Sequence, residues 1–280
     1  MDNSVYTPEQ VLEKIMQAGE KRILLPVLRC VLFGMMAGGF IAFGGATSSV
    51  AAHQISNVGL ARFVTALVFP IGLMMIVMIG GELFTGDCLM VTGVWDRRYG
   101  TGKMIRVLLV VWISNLIGSV LIAALVSYSG IFDYSAGGMG AFVIKTAYGK
   151  CTMAPVRAFV SGILCNILVC AAVLISTAAK DVVGKLMGVF FPIMAFVVAG
   201  WEHSVANMFY LPAGIFAANH PAYVQKAHQL YGLTAQQIQT KVNWSGFFSN
   251  ILPVTLGNIV GAMVFMALPL YAVRKAKYKV

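Results

Sequence analysis

Gly80-Gly81-Glu82-Leu83-Phe84-Thr85-Gly86-Asp87 interrupts an apolar run from Phe63 to Met90 with two acids, a hydroxyl and three glycines. A carboxylate at bilayer depth costs several kcal/mol, so such residues face a cavity or a partner. Glycine permits non-helical backbone, which a membrane tolerates only where it is buried in protein or lines water. A second interruption of the same kind, Gly200-Trp201-Glu202-His203-Ser204-Val205-Ala206-Asn207, breaks another apolar run. Two broken spans in corresponding halves of a chain point to a transporter's substrate site.

The rest of the chain frames these two breaks. Of its 280 residues, 59% are hydrophobic and 11% charged, against roughly 25% charged in soluble domains. Mean hydropathy is +0.83. This composition is that of an all-α membrane protein. Six apolar spans of about the 20 residues a bilayer requires are expected at Leu24–Val50, Phe63–Val94, Ile105–Ser129, Val156–Ala178, Leu186–Ala217 and Phe247–Val273. The second and fifth are overlong and hold the breaks, so each reads as two half-helices.

The formal charge of +10 does not indicate a nucleic-acid partner, because the basic residues sit at the ends of apolar runs. Fourteen of the 20 lysines and arginines fall on the side that carries both termini, and six on the other. By the positive-inside rule both termini are cytoplasmic, and the expected location is the inner (cytoplasmic) membrane. The start, Met1-Asp2-Asn3-Ser4, is polar and lacks a basic n-region before an apolar core, so no cleaved signal peptide is expected. Five cysteines without a CxxC pair imply no disulfide framework and read as small buried hydrophobes.

A single membrane domain over 1–280 is expected: a cytoplasmic amphipathic helix at 1–22, a six-span bundle at 23–274 and a basic cytoplasmic tail at 275–280. Thr7-Pro8-Glu9-Gln10 is a helix start with a capping residue, a first-turn proline and a Gln three residues on. Val11, Leu12, Ile15 and Met16 then share one face, suited equally to the membrane surface or to the underside of the bundle. Residues 130–155 and 218–245 read as long outer loops. Small residues crowd the first span (Gly34, Ala37, Gly38, Gly39, Gly44, Gly45) and permit close helix approach.

The halves echo one another. The break at Glu82 is followed by Asn115-Leu116-Ile117-Gly118, and the break at Glu202 by Asn258-Ile259-Val260-Gly261. Three spans followed by three have opposite topology, so the echo reads as an inverted 3+3 repeat.

Glu202-His203 is the sharpest constellation, since a histidine at bilayer depth can exchange a proton in the physiological range or donate to an anion. Glu202 is expected to orient that ring or to cap a half-helix. Asn166, the lone amide of an apolar span, is expected to brace an irregular loop across the bundle. Phe69, Leu73 and Phe196 are candidates for apolar constrictions. No second His stands at i+4 of His203 and no HExxH occurs, so no metal site is expected. An intramembrane enzyme would use Glu202 and His203 as acid and base, but no nucleophile accompanies them. A membrane scaffold would have no use for two costly polar breaks.

These residues carry a family resemblance. Met78-Ile79-Gly80-Gly81-Glu82-Leu83-Phe84-Thr85-Gly86 closely resembles the first signature of the formate/nitrite transporter family. Gly162-Ile163-Leu164-Cys165-Asn166-Ile167-Leu168-Val169-Cys170 resembles the second, departing mildly with Ala171 where Leu or Val is usual. Glu202-His203-Ser204-Val205-Ala206-Asn207-Met208 is similar to the family's broken fifth helix. The resemblance implies an aquaporin-like protomer in a homopentamer with one pore per protomer, without cofactor. Its expected cargo is formate, with nitrite or hydrosulfide as alternatives. It also implies roles by position. Thr85 is the threonine of a mobile loop, and Phe69 and Leu73 are outer constriction residues. Phe196 stands at an inner constriction, and Lys150 is a vestibule lysine that attracts anions. His203 is the central pore histidine, with Asn166 beside it near the threonine. A proton taken up near His203 would let the anion cross an apolar ring as its neutral acid.

Overall fold

The computed structural model describes residues 5–276. Chain ends 1–4 and 277–280, which include the polar start and most of the expected basic tail, lie outside the described residues. Within them the regular structure is helical, apart from one isolated bridge between Val5 and Ala179. Six helices among the described residues are long and apolar enough to cross a membrane.

Helix α1 (Pro8–Leu24) begins with the Thr7–Gln10 capping box read from the sequence. Its apolar face, Val11, Leu12, Ile15 and Met16, is buried under the bundle, which settles the alternative left open above. The first span is α2 (Val27–Ala52). The second comprises α3 (Val58–Val68) and α4 (Ile71–Ile79), then the break, then α5 (Phe84–Asp87), a 3-10 turn and α6 (Val91–Trp95). The third span is α7 (Thr101–Tyr128).

The expected outer loop at 130–155 is instead mostly helix, α8 (Tyr134–Cys151). Its opening residues Ser135, Ala136 and Gly137 have left-handed φ of 59, 52 and 80°, and the right-handed helix runs on from there. Ser135 is tied down at 2.8 Å by the His53 ring. Gly138, Met139, Gly140, Ala141, Ile144 and Ala147 are buried, so α8 is an interior element that carries Lys150 in its last turn.

The fourth span is α9 (Pro155–Ala178). The fifth is α10 (Val182–Ala199), the second break, and α11 (Ser204–Ala218). A short pair, α12 (Pro221–Tyr231) and α13 (Ala235–Lys241), folds the expected loop at 218–245. The sixth span runs from α14 (Trp244–Val260) through a π-helical stretch, Gly261–Ala267, into α15 (Leu268–Ala276). Pro269 has no N–H to donate and its ring clashes with the carbonyl a turn earlier, so widening the preceding turn removes the conflict. The first and last described helices, α1 and α15, lie on one side: Arg274 reaches Glu13 at 3.4 Å, and Tyr271 donates to the Trp95 carbonyl at 2.8 Å.

Both breaks pivot on glycine. Gly80 has φ +108° and Gly200 φ +74°, values that L side chains rarely adopt. Each break is then held by an asparagine from the third span of its own half. Asn115 Nδ2 donates to the carbonyls of Gly34 (2.8 Å) and Glu82 (2.9 Å), while its Oδ1 accepts from Phe84 N–H (3.0 Å). Asn258 Nδ2 donates to Gly162 (2.8 Å) and Glu202 (3.1 Å), and its Oδ1 accepts from Ser204 N–H (2.8 Å). A Cβ on Gly118 would strike the Met35 backbone, and one on Gly261 the Ile163 backbone, again in equivalent places. The inverted repeat expected from the Asn–Gly echo is present in the hydrogen bonding itself.

Outward-facing positions on the spans are apolar. On α7, Leu109, Ile113, Ile117, Leu121 and Leu125 recur at helical spacing and are exposed, as a bilayer solvent allows.

Candidate functional site

The two breaks meet at the centre of the bundle. Thr85, at the start of α5, and His203, at the start of α11, are both buried, and Thr85 Oγ1 lies 3.0 Å from His203 Nε2. The sequence placed these residues on separate breaks, and the fold joins them.

The histidine is oriented by its own helix. His203 is the N-cap of α11, and its Nδ1 accepts from Ala206 N–H at 3.0 Å. An acceptor nitrogen carries no proton, so the ring proton resides on Nε2, on the Thr85 side. Adding a proton at Nδ1 would set two donors against each other and break the cap. In this arrangement the ring is a neutral donor toward Thr85, one of the two tasks the sequence left open for it.

Glu202 does not touch the ring. Its Oε1 accepts from Lys150 Nζ at 2.8 Å, and its Oε2 accepts from Asn207 (2.6 Å) and Asn250 (3.5 Å). Neither ring orientation nor the cap falls to Glu202, because Nδ1 performs both. Asn166 braces the break as expected, donating to the Thr85 carbonyl (3.1 Å) and the Asn258 carbonyl (2.7 Å).

A cavity of about 170 Å³ opens above the pair on the side opposite α1 and α15, lined by Phe69, Phe196, Lys150, Tyr210 and His203. It narrows to a space of about 10 Å³ among Leu73, Phe69, Phe196, Leu83, Val169 and His203. A water needs roughly 10–15 Å³ of such volume, so this space has room for one water at most. Phe196, expected at an inner constriction, packs edge-on against Phe69 with ring centroids 5.9 Å apart and stacks on His203 at 5.8 Å. Phe69, Leu73 and Phe196 therefore form one ring. Leu83 and Val169 line the passage and were not singled out by sequence. Val169 follows Asn166 by three residues, so it shares that amide's helix face.

Lys150 sits on the cavity, but its charge is met by Glu202, and its side chain is mostly buried. Farther out, a depression of about 810 Å³ is bordered by Arg62, Lys145 and Lys226. None of these three has an ion-pair partner among the described residues. Their charges are not locally neutralised as that of Lys150 is, so their field extends farther from the surface.

The profile of the family described as formate/nitrite transporter matches residues 9–272. The chain belongs to that family. It is 36% identical over 286 residues to a probable formate transporter of Methanothermobacter thermautotrophicus, covering 95% of this chain and 96% of that relative. It is 37% identical over 233 residues to the formate channel FocA of Haemophilus influenzae, covering 82% and 81%. Among solved structures it resembles a pentameric formate channel with formate bound, with a TM-score of 0.77, 28% identity and 89% and 98% coverage.

Proposed function

We propose that this chain is a formate channel of the cytoplasmic membrane, assembled as a homopentamer with one pore per protomer and both termini in the cytoplasm. The observation that carries this reading is the Thr85–His203 contact, which sets two hydrogen-bonding side chains beneath an apolar ring at the meeting of two broken helices. The relatives named for formate, and the pentameric structure named for it, share nearly the whole chain.

An anion entering from the side opposite α1 and α15 first meets the field of Arg62, Lys145 and Lys226. It sheds water in the cavity beside Lys150 and reaches the ring of Phe69, Leu73 and Phe196. A bare anion keeps a large unmet solvation cost at such a ring. The donor immediately beyond it lowers that cost: the Thr85 hydroxyl, which accepts from His203 Nε2–H and is thereby free to turn its own proton to the guest. Formate crosses with a proton, so that the apolar ring sees the neutral acid.

Flux into proteoliposomes tests the reading. Formate uptake should exceed nitrite and hydrosulfide uptake at equal concentration, and Thr85→Val should reduce it. Equal or faster nitrite or hydrosulfide flux would move the assignment within the family, and no flux of any of the three would end it.

A further inference from the structure

The inner break carries one acid more than the outer one. In the repeat, Glu82 corresponds to Glu202, and Asp87 stands where the second half has Asn207. Around Glu202 the charges balance: Lys150 pairs with it, and Asn207 Nδ2 donates to its second oxygen at 2.6 Å. Around Glu82 they do not. Arg22, from the last turns of α1, is bonded through its Nε to Glu82 Oε2 and lies 3.1 Å from Asp87 Oδ1. One guanidinium thus faces two carboxylates.

Asp87 is 2% exposed, and its Oδ2 finds no donor. Glu82 Oε2 and Asp87 Oδ1 lie against the same Arg22 nitrogen, Nε, so the two carboxyls are close neighbours. Two carboxylates that close share a proton, because like charges in low dielectric do not both ionise. Among the described residues, none of the other polar or titratable groups around the pair makes an ion pair with it. On α2 there is Cys30, on α5's own continuation Cys88, and between α6 and α7 Tyr99, whose hydroxyl is committed to the Met90 carbonyl at 2.7 Å. Arg106 of α7 spends a guanidinium N–H on the Ile23 carbonyl at 3.3 Å. Among the described residues Arg22 is the one cation in ion-pair contact with Glu82 or Asp87.

We infer that Glu82 and Asp87 hold a single proton between them, making the inner break a proton-binding site in which Asp87 donates to Glu82 as Asn207 donates to Glu202. The repeat demands a donor at this position, and a carboxyl can donate only when protonated. The site lies next to Leu83, which lines the narrow passage, and Glu82 keeps some exposure. It is placed to give its proton to formate as formic acid forms, leaving two carboxylates against Arg22, and to take one back from water. This last step rests on the proposed formate reading, whereas the shared proton does not.

Infrared spectroscopy of the full-length protein in lipid, titrated in H₂O and D₂O, separates the two. At neutral pH the wild type should show a carbonyl band from a buried protonated carboxyl. The band should be lost in Asp87→Asn, whose amide donates to Glu82 without a proton, and kept in Glu202→Gln. Asp87→Asn should assemble normally, and Asp87→Leu, which lacks the donor, should be less stable. A wild type without the band, a band unchanged in Asp87→Asn, or a bound alkali cation in place of the proton would overturn the inference. Formate uptake in the same samples reports on the transport reading alone. If the band behaves as stated while uptake moves no proton, the site stands and coupled transport falls.

Discussion

Asn115 and Asn258 hold the two breaks by the same set of three hydrogen bonds: a carbonyl in the break, an N–H two residues later, and a carbonyl on the first helix of the half. Irregular backbone at membrane depth leaves polar groups that no water reaches, and one side-chain amide supplies two donors and an acceptor to meet them. Each break is thereby anchored to a packed span, the first to the third and the second to the sixth. Asn115→Ala and Asn258→Ala should cost about the same, on the order of 3 kcal/mol each, since each strands buried donors and acceptors. Thermal unfolding in detergent measures this. A cost confined to one half would mean the breaks are held differently.

His203→Asn and His203→Ala should differ. Asparagine caps a helix as well as histidine does, so the first variant keeps α11 in place and removes the Nε2–H donor that faces Thr85. Formate flux should fall roughly ten- to hundredfold, the worth of a hydrogen bond to a charged group. The alanine variant loses the cap as well and should also be less stable. Equal stability of the two would remove the capping role.

Lys150→Ala and neutralisation of the outer cations should have opposite salt signatures. Removing Lys150 strands the buried Glu202 carboxylate beside the passage, which costs about 3–5 kcal/mol and is little affected by salt. Neutralising Arg62, Lys145 and Lys226 lowers the local anion concentration, an effect that vanishes when the Debye length shrinks. Initial uptake at low formate, measured at low and high ionic strength, separates them. A Lys150→Ala defect that salt abolishes would return the attracting role to Lys150.

The seating of α1 should weaken in acid. Glu13 bonds Arg98 at 2.6 and 2.8 Å. That hydrogen bond, with the nearby charges of Arg98 and Arg274, holds the carboxyl below its ordinary range despite some desolvation. A carboxyl lowered in the folded state stabilises above its unfolded value, and the benefit is lost as pH falls through the folded one. Hydrogen exchange across Pro8–Leu24 should rise below the ordinary carboxylate range and should not rise in Glu13→Gln, which starts loose. Exchange that is flat with pH in the wild type would contradict this.

Much of this was legible in sequence because the bilayer punishes polar groups. Glu82, Glu202 and their flanking glycines could not sit in apolar runs without a purpose, and the Asn115 and Asn258 echoes marked the repeat. Periodicity alone located the buried face of α1. What escaped was set by distance or by side-chain size. Helix α8 opens on the left-handed residues Ser135, Ala136 and Gly137 and carries three glycines in its first turns, so it read as a loop. The joining of Phe196 to Phe69, and of Arg22 to Asp87, depends on how separate spans meet. No local pattern records that. Glu202 was read as a partner of the adjacent His203, whereas a helix start turns neighbouring side chains apart.

The central claim is that His203 serves as a fixed neutral donor while the proton that travels with formate comes from elsewhere. Lumenal pH and formate flux recorded together in proteoliposomes test it, with wild type and His203→Asn compared. The account predicts that the variant carries less formate but moves the same number of protons per formate as the wild type. A variant that carries formate while its proton movement disappears would show that the histidine itself delivers the proton, and would contradict the account.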